Sequence, residues 1–250
     1  MFNHKLHQPL SIKVIFSWFL MSFNAGAINA GGFLSTGKFV SHVTGFSTLL
    51  GVNLVQKSFL DAFEFLLIPV SFMAGATISG LLVDRPIYHQ KKPHFDYVMG
   101  LSAICLFTAG LASRLMNYGV FGSSVKINDN FLLLALLCMA CGLQNAALTS
   151  SSGNSVRTTH LTGLVTDLGL GIARLLTINK KDQIYARERR SNYLRIGTIA
   201  SFITGSAVGA WFFLTFQYEG FFLCGFIALY GAWIGRKEKH VAHKLAAFEP

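Results

Sequence analysis

The residues best suited to chemistry come in two matching sets. His42-Val43-Thr44-Gly45 recurs 118 positions on as His160-Leu161-Thr162-Gly163, and at that spacing Thr48 meets Thr166 and Gly51 meets Gly169. A loop rich in Gly, Ser and Thr precedes each set, Leu34 to Ser41 in the first case and Thr149 to Thr159 in the second. A short apolar segment follows each. A helix starting there would present unpaired N–H groups and the positive end of its dipole, which favour an anion. An imidazole beside it carries a proton near neutral pH. Lys38 and Arg157 add positive charge from the loops, and Asn29 and Asn145 add polar groups from the apolar runs before them. Thr44 and Thr162 are expected to cap the short helices. His42, Thr44, Gly45, His160, Thr162 and Gly163, with Asn29, Asn145, Lys38 and Arg157, are thus the candidate binding residues for a small anionic or polar solute. Asp167 joins them as a proton or cation site, because an ionisable group in an apolar segment is costly unless used. It is equally placed to pair with Arg174, seven residues along. The plainer alternative is packing, since polar loops and histidines also hold membrane helices together.

The elements that must position these residues are apolar helices. Hydrophobic residues make up 52% of the 250 positions and charged residues 13%, with a mean hydropathy of +0.48. A water-soluble domain carries about a quarter charged residues. Six runs are long enough to cross a hydrocarbon core, which takes about 20 residues: Ile12–Leu34, Asp61–Val83, Tyr97–Met116, Phe131–Ser150, Leu194–Thr215 and Phe221–Ile234. The last is short unless it begins in the aromatic Phe216–Tyr218 stretch. Val43–Val55 and Leu161–Ile178 are shorter or carry charge, and are read as re-entrant. That reading gathers the basic residues (the N-terminus, Arg85 to Lys92, the loop Lys180 to Arg195, and Arg236 onward) on the cytoplasmic side, as the positive-inside rule requires. The fold class expected is all-α: a transmembrane bundle of about six spans with two short or re-entrant helices.

The repeat extends beyond the histidine motif. Asn29-Ala30 matches Asn145-Ala146 with two residues gapped, and Phe72-x-x-Gly75 matches Phe202-x-x-Gly205 at an offset of 130. The extra residues fall in the basic segment from Lys180 to Arg195. Residues 1–120 and 121–250 then form two units of three spans within one membrane domain. An odd span count makes the copies inverted, a recurring transporter plan with the site near the midplane. The two interrupted helices are expected to meet there tip to tip. Gly75-x-x-x-Ser79 and Gly205-x-x-x-Gly209 read as faces for close helix packing.

Other classes are excluded or disfavoured. The net charge of +10 would suit nucleic acid if it formed a patch, but it is scattered between apolar runs. Cys105, Cys138, Cys141 and Cys224 all lie inside such runs, and the single Cys138-x-x-Cys141 has no second pair to complete a zinc site. They are read as small buried hydrophobes. The first run contains Ala25-Gly26-Ala27, as a leader's cleavage site would, but cleavage would cut the repeat that begins at Asn24. No hydrolase, zinc-protease or phosphate-loop signature is present, so no enzyme, metal or cofactor is expected.

The stretches Asn29 to Gly51 and Thr158 to Gly169 resemble the YoaK-like family of bacterial membrane proteins, a family carried as a domain of unknown function. The second, from Thr158-Thr159-His160-Leu161-Thr162-Gly163 through Thr166-Asp167-Leu168-Gly169, is the more specific. The resemblance runs from about Val14 to Gly235 and implies a bacterial inner-membrane protein of six or seven helices. Family members often carry Asp-Ala where Asn29-Ala30 stands and Thr-Gly-Asn where Thr44-Gly45-Phe46 stands. The function expected is a secondary transporter or channel for a small, anionic solute in the inner membrane, with both termini cytoplasmic. The alternative is a scaffold or regulator that moves nothing. Expected partners are the lipid bilayer and the solute, with self-association left open.

Overall fold

The computed structural model describes residues 12–56, 59–115, 121–122, 127–152 and 159–246, with backbone alone for 59–64, 67, 113–115, 127–130 and 237–246. Every regular element among them is helical: α1 (Ile12–Thr36), α2 (Val43–Val55), α3 (Phe59–Ser79), α4 (Arg85–Tyr88), α5 (Phe95–Leu115), α6 (Ile127–Ser151), α7 (Leu161–Thr177), α8 (Gln183–Phe216) and α9 (Gly220–Ala246). The six expected spans correspond to α1, α3, α5, α6, α8 and α9. Four stretches of the described residues are long and apolar enough to cross a membrane by themselves: Ile12–Thr36, Phe95–Ala112, Phe131–Ser151 and Gln183–Arg236, the last holding both α8 and α9. Ile104, Ile203, Trp211, Leu214 and Phe226 are each more than half exposed. So much outward apolar surface is what lipid, rather than water, accommodates. This is a helical membrane protein.

Two boundaries differ from expectation. The basic segment after Lys181 is helix rather than loop, because Asp182 caps α8 by accepting from the Ile184 N–H. Gln, Ala, Arg and Glu then favour continued helix. The aromatic Phe216–Tyr218 stretch does not lengthen the last span. It closes α8 and forms the 3₁₀ turn Gln217–Glu219, and α9 gains its length at the other end, past Arg236.

A proline shapes the α3–α5 connection. Pro86 has no N–H to give the carbonyl of Leu82 four residues back, and that carbonyl accepts from the His94 N–H instead, at 2.9 Å. The backbone just before widens into a π-helical turn, Gly80–Asp84, in which the Arg85 N–H reaches the Gly80 carbonyl.

The helices alternate in direction. α1 runs parallel to α8, with Phe19 against Gly197, Ala27 against Gly209 and Gly31 against Phe213. α5 and α9 run antiparallel, with Met99 near Gly231 and Gly110 near Phe222. The end where α1 begins also holds the Asp84 turn, the start of α5 and the finish of α6. The main pairings are α1 with α8, α3 with α6, α5 with α9, α1 with α9, α5 with α6, α1 with α6, α2 with α3, and α7 with α8. Exchanging α1 with α6, α2 with α7, α3 with α8 and α5 with α9 maps this set of pairings onto itself.

Glycine sets the closest approaches. A Cβ on Gly26 would strike the Phe202 carbonyl of α8, and one on Gly142 would strike the Phe72 carbonyl of α3. Gly75, Gly205 and Gly209 meet neighbouring backbone in the same way, as the two small-residue faces predicted. The four cysteines are free and buried. At mid-height three helices share a polar contact. Gln144 donates to Ser102 Oγ at 2.8 Å, and Asn24 donates to Gln144 Oε1 at 3.5 Å, all three fully buried.

Gly26→Val and Gly142→Val should each lower stability in detergent by about 3 kcal/mol, the upper range for overpacking a tight interface. Gly51→Ala, where a methyl meets nothing within 4 Å, should leave the melting temperature unchanged or slightly raised.

Candidate functional site

The two histidine motifs have one architecture. After α1, Gly37 takes a positive φ of 68° and reverses the chain. Val40 then packs against Gly32, and the N–H and hydroxyl of Ser41 donate to Asn29 Oδ1 at 3.3 and 3.0 Å. Those partners lie progressively earlier on α1, so the loop runs back toward the helix's middle before α2 leads outward again. After α6, the Thr159 N–H donates to Asn145 Oδ1 at 3.3 Å, and α7 follows. The half-helices therefore start inside the bundle's depth, each pointing its N-terminus inward.

His42 and His160 cap the two helices, with nearly equal backbone angles (φ −98°, ψ 70° and φ −95°, ψ 61°) and no side-chain capping bond. Thr44 and Thr162 are therefore not the caps: they already lie inside the helices, and their carbonyls accept from the hydroxyls of Thr48 and Thr166. Each imidazole folds over the glycine three residues on, where a Cβ on Gly45 or Gly163 would collide with Nδ1. Glycine is what lets the ring lie across the helix start. The Gly45 N–H donates to the His42 carbonyl at 3.0 Å and the Leu164 N–H to the His160 carbonyl at 3.2 Å, so only the N–H groups before them have no partner of the helical pattern.

The two junctions do not share a cavity. His42 lines a cleft of ≈130 Å³ with Gly37, Lys38, Phe39, Gly45 and Leu49. His160 lines a wider one of ≈350 Å³ with Gly80, Asp84, Asn145, Thr149 and Ser150. Among the described residues the expected tip-to-tip meeting is not seen: the two clefts share no lining residue and α2 and α7 are not among the main pairings. Asn29 and Asn145 are thus each tied to their own loop. Lys38 is half-buried with Nζ 5.2 Å from the centre of the Phe65 ring. Arg157 lies outside the described residues.

Asp167 is exposed on α7 and lines neither cleft. It is not the partner of Arg174, which bonds Glu188 at 3.3 Å, while Arg195 bonds the same carboxylate at 2.7 Å. Seven helical residues carry Asp167 about 10 Å along the axis from Arg174, whereas the antiparallel turn brings α8 alongside. Burial opposes the charge on Glu188, but the Arg195 and then Arg174 contacts outweigh it and hold its pKa below the ordinary glutamate value. Gly171 makes room for this cluster against α7. Gly80, Asp84 and Glu188 escaped notice in the sequence. Pro86 was the available signal for the first two, since a proline after an apolar run disturbs the turn before it.

Residues 17–234 match the family described as "Protein of unknown function (DUF1275)", and the chain belongs to that family. It matches no curated protein and no solved structure. Membership agrees with the family of unknown function that the resemblance implied.

A carboxylate with a lowered pKa stabilises the fold above its unfolded value and loses that contribution as pH falls through its folded value. The α7–α8 hairpin should therefore keep its amide-exchange protection at pH 6 and lose it progressively below about pH 4.5. Glu188→Gln should remove that pH dependence and cost about 1–3 kcal/mol at neutral pH.

Proposed function

We propose that this protein is a secondary transporter for a small, negatively charged polar solute, made of two inverted three-span units, residues 1–120 and 121–250. The observation that carries the reading is the doubled junction. Two asparagine side chains hold two turned-back loops by the same bond, Asn29 to Ser41 and Asn145 to Thr159. Two histidines then cap two half-helices in the same geometry. The exchange of pairings between the halves and the matched contacts at Gly26 and Gly142 support an inverted duplication. Inverted repeats with broken helices suit alternating access, in which one unit rocks against the other and the two junctions are exposed in turn.

The placement of the clefts supports the same reading: the His160 cleft lies toward the end where α1 begins and the His42 cleft toward the opposite one. Arg85, Lys91, Lys92 and the first turns of α8 lie at the former end, which makes it cytoplasmic under the positive-inside rule. Both termini then face the cytoplasm of a bacterial cell. A solute carboxylate or phosphate would meet the open N–H groups of a half-helix and an imidazole. Lys38 adds positive charge at the far junction, while at the near one the Asp84 carboxylate opposes an anion and would accept only from a donor group of the solute. A scaffold needs neither the paired N-termini nor the polar lining.

Proteoliposomes containing the protein should take up at least one member of a panel of small organic and inorganic anions. His42→Ala and His160→Ala should each reduce the initial rate by roughly tenfold or more, as for loss of a group acting on a proton or charge. Absence of flux across the panel, or unchanged rates in both variants, would contradict transport.

A further inference from the structure

One face of α8 carries Arg189, Tyr193, Ile196, Ile203 and Trp211, all exposed. At 3.6 residues per turn these five lie within about 40° of one line along the helix. Tyr193 and Trp211 are 66% and 65% exposed, and the helical rise sets them about 27 Å apart. That separation is close to the thickness of a hydrocarbon core, roughly 30 Å, and Tyr and Trp gather at its two borders. The stripe between them is apolar. Arg189 stands one turn beyond Tyr193, about 6 Å farther out, which is the depth of lipid phosphates.

The charge at that level has one sign. Glu188 is the single carboxylate between Gln183 and Arg195. It is already held by Arg195 at 2.7 Å and Arg174 at 3.3 Å, about a quarter-turn round the helix from Arg189. Asp182 caps the helix, about 10 Å farther out than Arg189. Arg189 and the half-buried Arg190 flank Ala186, one turn back, whose methyl leaves room between two guanidinium forks. Lys180 and Lys181, exposed on the turn before α8, add to the positive field. At the repeat's offset of 130, Phe59 and Leu60 stand in the places of Arg189 and Arg190. The two arginines are therefore no part of the duplicated plan. We propose that this end of α8 binds the headgroup of an anionic phospholipid, with Arg189 and Arg190 on its phosphate and the stripe from Tyr193 inward along its acyl chains. A guanidinium fork matches phosphate geometry. A zwitterionic lipid would bring its own ammonium into the same positive field, and free phosphate would leave the apolar stripe unused. The site is independent of transport.

The test is the lipid that stays with the full chain after gel filtration from micelles of equal phosphatidylglycerol, phosphatidylcholine and phosphatidylethanolamine. Wild-type protein should keep phosphatidylglycerol about tenfold or more over either zwitterionic lipid. Arg189→Gln should cut that preference about fivefold, the scale of one basic residue at an anionic surface, and Arg189→Gln with Arg190→Gln should bring it near parity. Arg189→Lys should keep most of it, since the charge remains. Millimolar inorganic phosphate should not displace the lipid, whereas about 0.5 M salt should, as screening shortens to a few ångströms. Should the double variant fail to fold, Arg189→Gln decides, because that side chain is exposed. Equal retention of the three lipids by wild type, an unaltered preference in folded Arg189→Gln, displacement by free phosphate, or a lipid-free dimer closed over this face would each overturn the proposal.

Discussion

A bilayer interior does not forgive an unpaired backbone amide, and the fold depends on how two such amides are satisfied. At the first junction the chain leaves α1 and runs back along it to Ser41, and at the second Thr159 lies back against α6. Asn29 and Asn145 supply acceptors, through their side-chain oxygens, to Ser41 and Thr159. Without them the loops would have no reason to stay at depth, and the half-helices would start at the membrane surface. An asparagine four or more turns into an apolar helix is therefore a structural part of the junction as well as a polar neighbour of it.

The rest of the bundle exists to hold α1 and α6 in place for that task. Glycine at Gly26, Gly142, Gly75 and Gly205 brings backbones together where lipid offers no hydrophobic incentive for helices to associate. The buried Asn24, Gln144 and Ser102 add a directional contact joining α1, α6 and α5 at mid-height. Close packing and hydrogen bonding thus do the work that core burial does in water. The outward face is left apolar for acyl chains, with aromatic and charged residues at its edges.

Much of this was legible in the sequence because membrane helices announce themselves by length and apolar content. The six spans fell on α1, α3, α5, α6, α8 and α9, and the spacing of Gly75 with Ser79 and Gly205 with Gly209 marked true packing faces. The histidines were found through recurrence, and Asn29 and Asn145 through their place before the loops. What escaped depends on contacts that no local pattern encodes. Glu188 sits among charges that read as a solvated loop, and only the fold of α7 against α8 turns it into a shared partner of Arg174 and Arg195. Asp84 joins His160 across 76 residues of chain. The separation of the two clefts was missed for a related reason. Periodicity shows that a helix is interrupted but not how far its loop folds back.

Under the proposed transport arrangement the two junctions open to opposite faces of the membrane. Single cysteines at Ser41→Cys and Thr159→Cys, treated with a membrane-impermeant thiol reagent in intact cells and in inside-out vesicles, measure this directly, since the four native cysteines are buried. Ser41→Cys should react only in intact cells and Thr159→Cys only in inside-out vesicles. Labelling of both positions from one side would contradict it.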